Sequence, residues 1–228
     1  MKLLNYNKVL CLSPHPDDVE YGMLGTICKY KNTQFDVLTL SVGGEYDKSK
    51  DKMRQKECEK VWEHIDNLNG SFFELDYIKN ITEDELIYKI NNEIDLSEYE
   101  VLFVPSLKDG HQDHRKISEI ASALVRKHPC GIIEYRTPSV MEGWTPNLFV
   151  DIDVIENRKK EDGHSSETAL LFMAVIWYIK LNKLKLFESQ QGKTYFGESS
   201  IKSFHSNYQC SNKNKDTVES FKIVRVYT

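Results

Sequence analysis

Short apolar runs alternate with amphipathic stretches from Lys8 to Pro129, and this alternation limits the fold more than any other feature. KVLCLS (8–13) reads as a buried strand. DDVEYGMLGTICKYKN (17–32) reads as a helix with Met23, Leu24, Ile27 and Cys28 on one face. FDVLTLSV (35–42) is a second strand, ended by Gly43-Gly44. KSKDKMRQKECEKVWEHIDNL (48–68) is a long charged helix offering Met53, Val61 and Trp62 to the core, and SFFELD (71–76) is a third strand. Thr82 and Glu85 form a T-x-x-E capping box, with Ile81 and Leu86 at the staple positions. EVLFVPS (100–106) is a fourth strand, followed by a loop and a helix over 111–128. Strands at 131–136, 147–152 and 220–227 complete the series. Strand–helix alternation of this kind predicts an α/β domain with a mostly parallel sheet and helices on both faces.

The chain has 228 residues and no Pro/Gly/Ser-rich break, so one large domain is the expectation. Apolar residues make up 40%, enough for a sizeable core, and the formal charge of −5 disfavours binding to nucleic-acid phosphates. The N-terminal apolar stretch is interrupted by Asn5, Asn7 and Lys8 and lacks a small-residue cleavage site, unlike a signal peptide. The longest apolar run, ALLFMAVIWYI (169–179), is too short to span a bilayer. Five scattered cysteines without a C-x-x-C pair argue against a disulfide framework or a cysteine zinc site, and fit a cytoplasmic protein.

Polar clusters at 13–20, 43–45 and 109–114 each follow an expected strand. In parallel α/β sheets ligands gather at the carboxyl ends of the strands, so these distant segments are expected to meet. The first cluster holds His15, Pro16, Asp17 and Asp18. One Asp after a strand is usually a helix cap, but a cap does not need two carboxylates and an imidazole. The second holds Asp109, His111, Asp113 and His114. Two histidines three apart at a helix start either share a target or lie on a solvated turn. Together the clusters supply imidazole and carboxylate without thiolate, a set that suits zinc or a neighbouring divalent ion. One aspartate could bind the ion while the other takes a proton from water. Spacing alone does not assign the roles.

At HPDD (15–18) and HQDH (111–114) the sequence resembles the LmbE-like, or PIG-L-like, zinc-dependent N-acetylglucosamine deacetylases. The resemblance covers most of residues 8–152 and resumes near Lys183. It implies a single Rossmann-like domain over 1–228 and a hydrolase acting on a small N-acetylated sugar conjugate. Carried over by residue, it implies metal binding by His15, Asp18 and His114, with Zn2+, or Fe2+ or Mn2+ in its place. It makes Asp17 the general base and His111 a cationic oxyanion stabiliser and acid, with Asp113 orienting His111 or tuning its pKa. Looser correspondences place Arg54, after GGE (43–45) and before Glu57, and Asp76 near the sugar. Ser189-Gln190 resembles a further family pair.

The sequence departs from the family at Val19, where many members carry Glu, and more so at about 160–181. There an unusual apolar helical segment must be buried, paired with another subunit in a homo-oligomer, or laid against some other surface. His164 in this segment reads as a loop residue. Two other readings remain: a metal-free carbohydrate- or nucleotide-binding module, and an inactive member on the same scaffold. Gly43-Gly44 lies in no phosphate-loop motif, which weakens the nucleotide option.

Overall fold

Alternating side chains on the first strand already divide the core in two. In β1 (Lys8–Ser13), Val9 and Cys11 join one apolar cluster, and Leu10 and Leu12 join the other. A strand buried on both faces needs a helical layer on each side, and the chain supplies both. The computed structural model describes residues 6–42, 49–73, 75, 77–152, 175–206 and 217–226. Gly43, Gly44, Glu45, Asp76, His164 and most of the 160–181 segment lie outside the described residues.

Helix α1 (Asp18–Lys29) leads from β1 to β2 (Gln34–Thr39), and α2 (Ser49–Trp62) leads to β3 (Leu68–Phe72). Helix α3 (Glu83–Glu93) follows, then β4 (Val101–Pro105), α4 (Gln112–Leu124), β5 (Gly131–Tyr135) and β6 (Leu148–Asp151). Helices α5 (Val175–Leu184) and α6 (Glu198–Ser206) precede β7 (Val218–Arg225). The strands form one sheet in the order β3-β2-β1-β4-β5-β7-β6. β1 to β5 pair in parallel, and β7 inserts antiparallel between β5 and β6. This is the expected α/β class, a single domain with a mostly parallel sheet. No helix among the described residues is long and apolar enough to cross a membrane.

Residues of α1, α2, α5 and α6 pack on one face of the sheet, and those of α3 and α4 on the other. The capping box is realised on its threonine side: Thr82 Oγ1 accepts the Glu85 backbone N–H at 3.3 Å. After β1 the chain builds outward through β2 and β3, then returns to place β4 on the opposite side of β1. The seam between β1 and β4 is therefore the topological switch point, where α/β folds open a crevice.

The structure corrects some boundaries. The third strand is Leu68–Phe72, not 71–76, because pairing with β2 runs from Phe35↔Leu68 to Thr39↔Phe72. It is an edge strand, so it lacks the apolar signature of the central ones. Its Gly70 leaves room for the Trp62 ring, which a Cβ there would meet at 2.1 Å. Helix α2 stops at Trp62, and the chain turns through a positive φ of 63° at His64. Met53 is exposed, while Cys58 of the same helix is buried. In α5, Ile176, Trp177, Leu181 and Leu184 enter the core while Tyr178 remains exposed.

Candidate functional site

The turn after β1 holds a backbone conformation that most residues avoid. Asp17 has φ 103° and ψ −22°, in the left-handed region. A non-glycine residue in such a conformation costs roughly 1–3 kcal/mol, and these positions concentrate at functional sites. The neighbourhood holds the turn in place: Arg54 Nη2 donates to the Pro16 carbonyl at 2.7 Å and lies 3.5 Å from Asp17 Oδ2. Asp17 makes no side-chain cap bond to α1. Capping therefore does not explain the paired aspartates.

The loop after β4 reaches the same place. His111 is the N-cap of α4, and its Nδ1 accepts the Asp113 backbone N–H at 3.3 Å. That bond puts the proton of the neutral ring on Nε2. One turn on, His114 Nδ1 lies 3.0 Å from Asp109 Oδ2, and its Nε2 lies 3.2 Å from Asp18 Oδ2. Asp109 is fully buried and accepts hydrogen bonds from the His111 backbone N–H (2.7 Å), Ser139 Oγ (2.6 Å) and Thr137 Oγ1. His15 stands between two carboxylates, with Nδ1 3.4 Å from Asp18 Oδ2 and Nε2 3.1 Å from Asp113 Oδ2. The Asp113 carboxylate thus pairs with His15, while its backbone N–H serves His111.

These distances test a bound ion. At bond lengths of about 2.0–2.1 Å, tetrahedral geometry spaces ligand atoms roughly 3.3 Å apart. Asp18 Oδ2 stands at 3.4 and 3.2 Å from the nearest nitrogens of His15 and His114, so this donor set fits a divalent ion. His15, His111 and His114 also form a group able to hold a metal, with ligand atoms within 4.8 Å of one another.

The two adjacent aspartates differ in acidity. Burial disfavours the charge on Asp18, but His114 and His15 outweigh it and hold the carboxyl well below the usual range. Burial and the Asp18 charge push Asp17 up to about 6, against the pull of Arg54. His114 shows the reciprocal effect: burial opposes its charge, yet Asp18 and Asp109 push its pKa up to about 10. Burial, with the neighbouring His15 and His114, lowers that of His111. Glu20 lies one turn into α1 and is buried. Burial pushes its carboxyl up to about 7 although Trp62 Nε1 donates to it at 2.6 Å.

All of these shifted groups but Glu20 line a cavity of about 540 Å³ at the carboxyl edge of β1 and β4. His15, Asp17, Asp18, Arg54, His111, Asp113 and His114 all reach it, so every expected site residue among those described meets in one place. Asp76 lies outside the described residues. Tyr195 and Lys193 also line the cavity; they follow Ser189-Gln190 closely in sequence, which was their only signal. Glu57 of α2 accepts from Ser189 N (2.8 Å) and Ser189 Oγ (2.6 Å), tying that segment to the helix that carries Arg54.

Residues 10–125, just over half the chain, match the PIG-L family model, described as GlcNAc-PI de-N-acetylase. The chain belongs to this family. Solved structures extend the likeness over nearly the whole fold. N,N'-diacetylchitobiose deacetylase from Pyrococcus horikoshii is 18% identical, with a TM-score of 0.69 over 97% of this chain and 85% of its own. The 4-carboxy-2-hydroxymuconate hydratase from Pseudomonas putida KT2440 is 16% identical, with a TM-score of 0.69 over 97% of this chain and 98% of its own. A zinc-inhibited form of teicoplanin deacetylase is 12% identical, with a TM-score of 0.65 over 96% and 98%. At these identities the deacetylases and the hydratase show the fold alone, and the chemistry is argued from the site.

Proposed function

We propose that this chain is a metal-dependent hydrolase that removes the acetyl group from an N-acetylglucosamine-type sugar conjugate. The observation that carries the reading is the convergence of Asp18, His15 and His114 at metal-ligand spacing, with Asp17 beside them and not engaged as a cap. Membership of the PIG-L family supports it. The same three residues would hold the ion, by Asp18 Oδ2, His15 Nδ1 and His114 Nε2. When bound, a divalent ion supplies Lewis acidity, polarising a carbonyl and acidifying water.

The chain's own groups account for the proton transfers. Asp17, raised to about 6, is near the optimum for a general base at neutral pH and takes a proton from the attacking water. The water oxygen bonds to the amide carbon, the carbon–nitrogen bond breaks, and a proton must reach the departing amine. The proton that Asp17 takes from the water can pass to that amine, while His111, whose cap bond keeps Nδ1 unprotonated and leaves Nε2–H as the free donor, stabilises the developing oxyanion as a neutral imidazole. Asp113 acts on His15 through its carboxylate and on His111 through its charge, which raises the His111 pKa against burial. Arg54 holds the turn that presents Asp17 and faces the cavity, where a sugar hydroxyl can meet it. An N/O donor set of this kind accepts zinc, iron or manganese.

The test is a panel of N-acetylglucosamine derivatives incubated with protein loaded with each ion. The expected result is about one equivalent of bound metal, with acetate and free amine released in equal amounts and both halted by a chelator. Purified protein that binds no divalent ion under any condition sinks the reading. So does amine release that a chelator leaves untouched.

A further inference from the structure

The two residues after HQDH, Arg115 and Lys116, are both cations, and neither is among the residues lining the cavity. Each reaches away from α4 to the backbone of a loop that does line it. Arg115 Nη1 donates to the Asp109 carbonyl at 2.6 Å and to the Gly110 carbonyl at 2.9 Å, bracing the chain before His111. Lys116 Nζ turns to the connection between β3 and α3 and donates to the carbonyls of Ile78 (3.1 Å), Lys79 (3.0 Å) and Ile81. An ammonium has three N–H donors, so all of them serve this one turn. The turn begins at Tyr77, which lines the cavity. We propose that Tyr77 contacts the ring of the N-acetylated sugar, and that Lys116 is the positioning residue that sets Tyr77. The inference rests on the deacetylase reading and deepens it by naming where the sugar ring is held.

The local chain shows why the turn needs an outside partner. Past β3 the chain stays beside β2 for a few residues: Phe73 N donates to the Thr39 carbonyl and Leu75 N to the Leu40 carbonyl, both at 2.8 Å. It then forms a short 3-10 turn, Ile78–Asn80. Two backbone bonds close that turn, Asn80 N to the Tyr77 carbonyl and Ile81 N to the Ile78 carbonyl, each at 3.2 Å. A helix this short holds itself weakly. Two anchors fix it from outside. Ile78 is fully buried in the same core cluster as Ile117 of α4. The Lys116 ammonium sits at the carbonyl end of the turn, where a cation is favourable. Lys116 also stands two residues after His114, so one turn of α4 joins the Tyr77 loop to the metal-ligand edge. Tyr77 itself is half-buried. A pyranose presents an apolar C–H face that an aromatic ring covers well, and the tyrosine hydroxyl adds a polar group at the rim. Lys79 Nζ lies 5.7 Å over the Tyr77 ring; Lys79 belongs to the same turn, so this contact travels with it. A ring held in place before the sugar arrives loses little freedom on binding, and a loosened turn would lose that advantage.

The test uses the zinc-loaded full chain with N-acetylglucosamine as the probe. Binding is followed by calorimetry and turnover by amine release. Tyr77→Ala is expected to raise KM and Kd about tenfold, the worth of one aromatic contact, with little change in kcat. Lys116→Met should raise both by about three- to tenfold, since it leaves the ring present but unplaced. The double variant should be no worse than Tyr77→Ala alone, because an absent ring has no position to lose. Bound zinc should be the same in all of them. Lys116→Arg keeps the charge but cannot aim three N–H groups from one nitrogen, so it should give part of the KM rise. Should Lys116→Met not fold, Lys116→Arg carries the same comparison. A lysine with a merely structural role would lower the active fraction, and so kcat, and leave KM alone. That result overturns the proposal, as do losses that multiply in the double variant, or zinc lost with Lys116→Met. If the parent deacetylates the probe and Tyr77→Ala keeps its KM and Kd, the sugar contact falls and the deacetylase stands. If the parent binds the probe without deacetylating it, and the two single variants weaken that binding in a non-additive way, the deacetylase reading falls and the sugar contact stands.

Discussion

Asp17 and Asp18 are adjacent in the chain, yet their surroundings drive their acidities apart. Asp18 faces two imidazoles, whereas Asp17 sits on a left-handed turn with Arg54 beside it and burial raising its pKa. Separate environments for paired carboxylates usually mean separate tasks. Asp17→Asn is therefore expected to lower kcat by about 10²–10⁴-fold with metal content unchanged. Asp18→Asn is expected to lose the metal itself, as read by elemental analysis. Equal metal loss in both variants would show that the division of roles is wrong. A second expectation concerns Asp109, which pairs with His114 Nδ1 and so leaves Nε2 free for the proposed ion. Removing such an outer partner typically costs about 10–100-fold in metal affinity, and Asp109→Asn should show that loss by competition with a chelator. That the main candidate residues share one cavity was legible in the sequence because two short motifs after strands carry them. The supports were less so. Thr137 and Ser139 reach Asp109 from the chain beyond β5, and nothing in HQDH announces them. Nor does spacing reveal that the Asp113 carboxylate turns to His15.

At the scale of elements, central strands and their flanking helices were readable because burial on both faces makes them continuously apolar. Edge strand β3 was misplaced for the converse reason: half of it is polar and exposed, and its partner sets its register. Helix α6 carried no strong signal, since a nine-residue helix has one short apolar face. The apolar helix expected to need a partner in part finds one through a feature that hydrophobicity does not report. Lys180 of α5 is fully buried, its Nζ bonded to Glu219 Oε1 of β7 at 2.5 Å and to the Tyr21 carbonyl of α1 at 2.6 Å. Glu219 in turn accepts from Gly25 N, Thr26 N and Thr26 Oγ1. One ion pair thereby joins α5, α1 and β7. Lys180→Met should leave the carboxylate buried without its cation and cost about 3–5 kcal/mol in urea unfolding. Adding Glu219→Gln should recover part of that loss, because the uncharged amide oxygen still accepts from α1. A double variant whose cost equals the sum of the two single changes would mean that the pair is not coupled.

The molecule as a whole places its chemistry on one edge and its stability in two cores. The same overall fold occurs in a hydratase, so the sheet itself does not select the reaction. Stability can therefore be probed away from the candidate site. His205 closes α6 against β7; it is buried, and its Nδ1 lies 3.2 Å from the Val218 carbonyl. Tyr21, Trp177 and Phe204 surround its ring. Burial, then the Lys180 charge, with a smaller push from Arg136, hold its pKa well below the usual histidine value, so the native protein keeps it neutral. The unfolded chain takes up a proton there near pH 6.5. The sign follows: this residue's stabilising share is complete above about pH 6.5 and is lost as pH falls toward the native pKa, because the unfolded state then binds the extra proton. The largest slope one such group can give is about 1.4 kcal/mol per pH unit. His205→Gln should reduce the acid-side slope of unfolding free energy by up to that amount between about pH 6.5 and 5. Slopes from the carboxylates around the cavity are common to both proteins and cancel in the difference. The variant is expected to be less stable than the parent at pH 7.5, so the slope and not the absolute stability is the readout. Parallel curves for the two proteins would show that His205 is protonated equally in the native and unfolded states, and that α6 tolerates a charge beneath it.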